Sequence, residues 1–291
     1  MLIGHQKQWS FLKKIAEQGS LPHALLFCGQ EKLGKKKIAL DLAYLLLGEE
    51  AKNVSHPDLI LIEPEARQIQ ISQIRDLIWK LSLKPYSSSL KVAIIDQAHF
   101  MNEEAQTCLL KTLEEPRGKT LLILISDKVQ YLLPTIVSRT QTIRFYPVEE
   151  KEIRNYLKEQ GTEEAEKICK ISAGKPGVAL ELASDAGKLK SFEETMDEIE
   201  KISKSTLASR FQYAKDLSED PKEISGILCA WTSYFRDRML EAVRRGSKEA
   251  GPKYSLEKTE KILKTLQSMN FLISTTNVNA KLAMENLMLE L

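Results

Sequence analysis

Three short stretches carry residues whose types and spacing fit phosphate chemistry. The first is "GQEKLGKK", residues 29–36, where Gly29, Gly34 and Lys35 match the P-loop pattern Gly-x4-Gly-Lys. Backbone N–H groups of such a loop point at phosphates, and the lysine reaches the outer ones. The pattern then asks for a Ser or Thr hydroxyl to hold magnesium. This chain has Lys36 there, and an ammonium offers donors only and repels a cation. The loop alone leaves two readings open: a vestigial nucleotide cradle, or a strand–turn–helix corner that contains two glycines. The second stretch is "KVAIIDQAH", residues 91–99. Asp96 ends an apolar run as the metal-supporting acid of a Walker B strand does, or it simply ends a strand. Gln97 stands where a glutamate would polarise water, and an amide takes no proton at neutral pH. The third is "PTIVSRT", residues 134–140, where Arg139 follows Ser138. An arginine so placed either stabilises charge on a phosphoryl group transferred in a neighbouring molecule or pairs with a surface carboxylate.

The elements around these residues alternate. "HALLFCG", "DLILIEP", "KVAIIDQAH" and "TLLILISD" read as strands, and "LLPTIVSRTQTIRFYP" as a short helix and a fifth strand. Between them lie helical patterns: "KKKIALDLAYLLLG", "SQIRDLIWKLSLKP" with Ser72 as N-cap, and "NEEAQTCLLKTLEEP" closed by Pro116. Alternation of strand and helix predicts an α/β domain with a mostly parallel sheet, whose ligands sit at the strands' carboxyl ends. The glycine loop falls at one such end. From about Val148 only helical patterns remain, giving boundaries at 1–147, 148–187 and 188–291.

A chain of 291 residues suits two or three domains. Its 42 basic and 40 acidic residues leave a net charge of +2, which excludes a strong global attraction to nucleic acid. The apolar runs are too short to cross a bilayer, and the first residues lack the apolar core of a signal peptide, so a cytoplasmic protein is expected. Cys28, Cys108, Cys169 and Cys229 form no Cys-x-x-Cys pair and read as buried, reduced thiols.

"LPHALLFCGQ", "HPDL" (56–59), "IDQAH", "LLKTLEEP" (109–116), "LLPTIVSR" (132–139), "GKPGVAL" (174–180) and "NVNAKLAMENLML" (277–289) occur in this order. Together they closely resemble the bacterial DNA polymerase III clamp-loader family, of the AAA+ class, over nearly the whole chain. The resemblance implies a RecA-like AAA+ domain, a small helical lid and a C-terminal helical collar. Within the family the chain resembles the delta-prime branch more than the ATP-hydrolysing gamma/tau branch. Gamma/tau subunits are expected to keep the hydroxyl, the Asp-Glu pair and a lid arginine, where this chain has Lys36, Asp96-Gln97 and Val178.

That branch implies a non-hydrolysing scaffold in a five-subunit spiral with gamma/tau and delta, acting on primed DNA and the sliding clamp. Arg139, with Ser138, would serve in trans the ATP of a gamma/tau neighbour. Gly29, Gly34, Lys35 and Asp96 would be a vestigial nucleotide site, with weak nucleotide binding or none. Many relatives carry a four-cysteine zinc module before "HPDL"; residues 44–55 hold no cysteine, so no zinc is expected. The rival is an active AAA+ ATPase of the gamma/tau kind, which needs a catalytic glutamate elsewhere, and Glu103 and Glu104 lie past the strand. Gln73, Arg75 and Lys84 are candidates for DNA phosphate contact, or a solvated face. Trp231, Tyr234 and Phe235, and Met284, Leu287, Met288 and Leu291, fall at helical spacing and serve a private core, an assembly surface, or both.

Overall fold

The structure, a computed structural model, describes residues 2–48, 56–65, 68–116, 118–218, 221–244, 246, 254–275 and 278–291. Its contacts divide the chain into two units, Met1–Leu180 and Glu181–Leu291.

Five strands in the first unit, β1 (Ala24–Cys28), β2 (Leu59–Ile62), β3 (Lys91–Ile95), β4 (Thr120–Ser126) and β5 (Gln141–Arg144), form one sheet in the order β2–β3–β4–β1–β5. Every neighbouring pair is parallel. Runs such as Ala24–Cys28 are apolar at consecutive positions because helices cover both faces of the sheet. Leu25, Phe27, Val92, Ile94 and Ile123 turn to one face, against Leu12 of α1 (Gln6–Glu17) and Ile38 and Leu42 of α2 (Lys35–Leu47). Leu26, Ala93, Ile95, Leu122 and Leu124 turn to the other. There they meet Ile74 and Leu77 of α3 (Ile71–Ser82), Leu109 and Leu113 of α4 (Glu103–Glu114), and Ile136 of α5 (Pro134–Ser138). Each such Val, Leu, Ile or Phe side chain, fully buried, contributes about 1.5–3 kcal/mol. The expected α/β domain with a parallel sheet is therefore what the chain forms. After β1 the chain crosses to β2 at one edge, and after β4 it crosses to β5 at the other. An open sheet leaves a crevice at the carboxyl ends where such paths diverge.

Two local expectations change. The helix start at Ser72 is corrected to Gln70, whose N–H donates to Gln73 Oε1 at 2.9 Å in a capping box. The side chain of Gln73, a candidate for DNA contact, is thereby engaged, and it also donates to Glu63 O at 3.1 Å. Arg75 and Lys84 are exposed. The "HPDL" stretch turns out to be an anchor. Buried Asp58 accepts the N–H groups of Tyr86, Ser87 and Ser88 at 2.7, 3.0 and 3.0 Å, which holds the turn before β3. Burial pushes its pKa up, but the amides of Ser87, Tyr86 and Ser88 outweigh that and hold it below the usual carboxylate range.

Three further helices follow: α6 (Glu150–Glu159), α7 (Ala165–Ser172) and α8 (Pro176–Ser184), the last running across the division between units. The second unit continues with α9 (Ala186–Lys204), α10 (Leu207–Leu217), α11 (Pro221–Arg244), α12 (Leu256–Thr275) and α13 (Ala280–Glu290). Trp231, Phe235, Met284, Leu287, Met288 and Leu291 are buried in its core. Buried Arg210 ties that core together, donating to Ser203 O at 2.8 Å and Met288 O at 3.3 Å.

Of the thiols expected to be buried, Cys28 and Cys169 are; Cys108 is half-buried and Cys229 is exposed. Among the described residues no helix is long and apolar enough to cross a membrane. Residues 247–253, within the polar stretch "RRGSKEAGPKYS", and residues 49–55, within the cysteine-free stretch before "HPDL", lie outside the described residues.

Candidate functional site

The glycine loop joins the carboxyl end of β1 to the start of α2. Gly29 has a φ of 146°, and a Cβ there would stand 2.3 Å from the carbonyl oxygen of Phe145, so no other residue fits this approach. Lys32 takes a left-handed conformation at φ 60°, and Gly34 is the N-cap of α2. Gly29, Gly34, Lys35 and Asp96 are thus brought to one place, as their spacing predicts.

The charges at this place close on one another. Lys35 is 5% exposed, and its Nζ donates to Gly29 O at 2.8 Å and to Gln30 O. Burial lowers its pKa, with Asp127 and Asp96 opposing. Lys36 Nζ bonds Glu63 Oε1 and lies 3.2 Å from Asp96 Oδ2. Burial also pulls Lys36 down, but the hydrogen bond to Glu63 and the charge of Asp96 together raise it above the ordinary lysine value. Asp96 turns its other oxygen, Oδ1, to the N–H of Gln97 at 3.0 Å. A magnesium nucleotide does not fit this donor set, because the ammonium of Lys36 stands where the hydroxyl and its cation would meet Asp96.

Gln97 is exposed and left-handed at φ 50°, so no carboxylate occupies the position of a base. Glu103 and Glu104 sit exposed in the first turn of α4, beyond its N-cap Asn102, where they suit the helix dipole. His99 Nδ1 lies 3.3 Å from Asp127 Oδ1, and burial holds its pKa below the ordinary histidine value, with Asp127 opposing. Helix α8 reaches the same loop: Gly177 N–H donates to Lys32 O at 2.8 Å. A Cβ on Gly177 would stand 2.9 Å from that oxygen, so this glycine permits the approach.

Sequence reasoning missed Glu63 and Asp127, although a common signal marks them. Glu63, Asp96 and Asp127 each follow the last residue of a strand, β2, β3 and β4, as Gly29 follows β1. Parallel strands deliver such residues to one edge of the sheet.

Arg139 and Ser138 are not brought to this edge. Arg139 caps the end of α5 and lies two residues before Gln141, the first residue of β5. It therefore lies by the amino ends of the strands, opposite the cradle. Its Nη2 pairs with Glu114 Oε1 at 2.7 Å, and its Nη1 donates to Thr135 O at 3.1 Å. The hydroxyls beside it finish α5: Ser138 Oγ donates to Thr135 O at 3.1 Å and Thr140 Oγ1 to Ile136 O at 3.2 Å. The arginine side chain remains 36% exposed. Among the described residues no group of three or more His, Cys, Asp or Glu could hold a metal ion.

A family model described as "DNA polymerase III, delta subunit" matches residues 4–149. "DNA polymerase III subunit delta'" from Bacillus subtilis (strain 168) is 39% identical over 158 residues, 50% of this chain and 48% of that protein. The protein of the same description from Pseudomonas aeruginosa is 36% identical over 151 residues, 46% of this chain and 45% of that one. The chain thus spans about half the length of these curated relatives. The match is narrower than the resemblance in short motifs, which runs on to residue 289. Among solved structures, a DNA polymerase III gamma subunit-related protein from Thermotoga maritima superposes with a TM-score of 0.58 at 22% identity, covering 97% of each chain. That likeness is one of fold, an α/β core with helical parts.

Proposed function

The chain belongs to the DNA polymerase III delta subunit family, and from that premise we propose that it works as a non-hydrolysing, delta-prime-type subunit of a clamp loader. Its cradle binds nucleotide weakly or not at all and takes no zinc. Its partners are gamma/tau-type and delta-type subunits and, through the complex, primed DNA and a sliding clamp. Arg139 lends its guanidinium to the ATP held by a gamma/tau-type neighbour.

The observation that carries this reading is the position of Arg139. It lies at the amino edge of the sheet, while Gly29, Lys35 and Asp96 lie at the carboxyl edge, so it is set to serve another molecule's site. Glu114 and Thr135 O fix its direction without covering it. Arginine suits the task because its planar, permanently charged fork matches phosphoryl oxygens. The test is reconstitution with gamma/tau-type and delta-type subunits, wild type against Arg139→Ala. The variant is expected to assemble normally and to depress DNA-stimulated ATP turnover. Unchanged turnover would reject the role.

The helices of the second unit would form the collar, packed against counterparts in the other subunits. The helical spacing that pointed to Met284, Leu287, Met288 and Leu291 found a private core. Leu282 and Leu289, on the same helix, are 62% and 60% exposed and support the assembly face. Leu282→Glu with Leu289→Glu should leave the chain's own stability within about 0.5 kcal/mol per site, yet weaken co-purification with partner subunits. Full recovery of the complex would remove α13 from that face.

A further inference from the structure

We infer that the Lys36 ammonium takes the place of the divalent cation in this cradle, and that Asp96 and Glu63 become a divalent-cation site when that ammonium is removed. A magnesium-dependent P-loop holds its ion between the hydroxyl after the loop lysine and the carboxylate at the end of a neighbouring strand. Lys36 occupies the first of these positions, and its Nζ reaches the second, Asp96 Oδ2, at 3.2 Å while bonding Glu63 Oε1. The cation is thus supplied covalently, on a flexible four-carbon stem with three donors.

The two carboxylates are set side by side by the backbone. Ile62 pairs with Ile95 in the sheet, Asp96 N–H donates to Ile62 O at 2.9 Å, and Glu63 and Asp96 are the next residues on β2 and β3. Asp96 is further oriented by the N–H of Gln97 on its other oxygen. Two carboxylates at a solvent-reaching edge, completed by water, suit a hard divalent ion. The ammonium between them excludes it by charge and by volume. From α8, Gly177 hydrogen-bonds the loop directly.

This deepens the reading of a non-hydrolysing cradle, and its test uses neither nucleotide nor partner, so its failure would leave the role of Arg139 standing. The full chain is titrated with Mn²⁺ in the absence of nucleotide, following free Mn²⁺ by electron paramagnetic resonance. Melting midpoints are compared in MgCl2 and in NaCl of equal ionic strength. Wild type is expected to show no saturable Mn²⁺ binding and the same midpoint in both salts. Lys36→Met and Lys36→Gln are expected to melt about 2–4 °C lower, to bind about one Mn²⁺ per chain as this two-carboxylate site allows, and to regain the lost degrees in MgCl2. Adding Asp96→Asn should abolish that binding. Folded Lys36 variants that bind no Mn²⁺ would overturn the inference. So would Mn²⁺ binding by wild type that Asp96→Asn removes, an observation that needs no Lys36 variant.

Discussion

The cradle after β1 and the arginine after α5 belong to one unit and both present cationic side chains, but their charges are handled differently. At the cradle, Lys35 is spent on the carbonyls of Gly29 and Gln30, and Lys36 on Asp96 and Glu63. At the amino edge of the sheet, Arg139 is aimed by Glu114 and Thr135 O yet stays open to solvent. A closed set of charges stabilises its own loop and has little left to offer a phosphate. A guanidinium held on one side can still meet an anion brought by another molecule. On the proposed reading, the same scaffold silences its own site and keeps a part that acts elsewhere.

The sharpest way to break this contrast is at the arginine. Arg139→Ala should lower turnover at the neighbouring site it is proposed to serve by on the order of 10³, as arginine fingers do in other phosphoryl transfers. A drop smaller than tenfold in single-site turnover would put Arg139 among ordinary surface arginines. At the cradle, the largest effect should be structural. Gly29→Ala forces a Cβ onto the Phe145 carbonyl at a φ of 146°, and should cost about 3 kcal/mol in urea unfolding.

The Lys36 pairs are smaller, since the lysine side chain is 39% exposed and such pairs contribute about 1 kcal/mol or less. Their pH dependence has a definite sign. The folded pKa of Lys36 is raised by its hydrogen bond to Glu63 and by Asp96, against burial. The stabilisation is therefore full below the ordinary lysine pKa and is lost as pH climbs through the raised one. The stability gap between wild type and Lys36→Met should be open at about pH 8, where lysine is charged, and close as pH climbs through the raised lysine pKa; a gap that widens with alkali would refute the pairing. Smallest of all, Glu114→Gln should change stability by less than about 0.5 kcal/mol. It should nevertheless slow neighbour turnover, because the guanidinium loses its aim. Loss of stability without loss of turnover would make Glu114 a structural partner only.

The sheet was legible because helices on both faces demand unbroken apolar runs, and Ala24–Cys28 and Val92–Ile95 show them plainly. The cradle was legible in part: Gly29, Gly34, Lys35 and Asp96 obey a spacing rule tied to strand ends. The closure of its charges was not. Glu63 meets Lys36 from 27 positions away, and only the pairing of β2 with β3 brings them together. Glu114 beside Arg139 and Gly177 on Lys32 are likewise products of tertiary packing. At Ser72 local chemistry misled, since the helix begins earlier, at Ile71, with Gln70 and Gln73 forming the capping box. In α13 helical spacing marked Met284, Leu287, Met288 and Leu291 but left open whether they serve a private core or an assembly surface, because that depends on the helices packed against them. The family suggested by the short motifs is the one that the comparison of residues 4–149 returned.

The central claim is that this chain breaks no phosphate bond itself. Steady release of inorganic phosphate from ATP and magnesium by the purified chain, with and without primed DNA, tests it most directly. The expected result is no release above a no-protein control, with turnover arising only when gamma/tau-type subunits are added. Sustained release by the chain alone, abolished by Lys35→Ala, would contradict it.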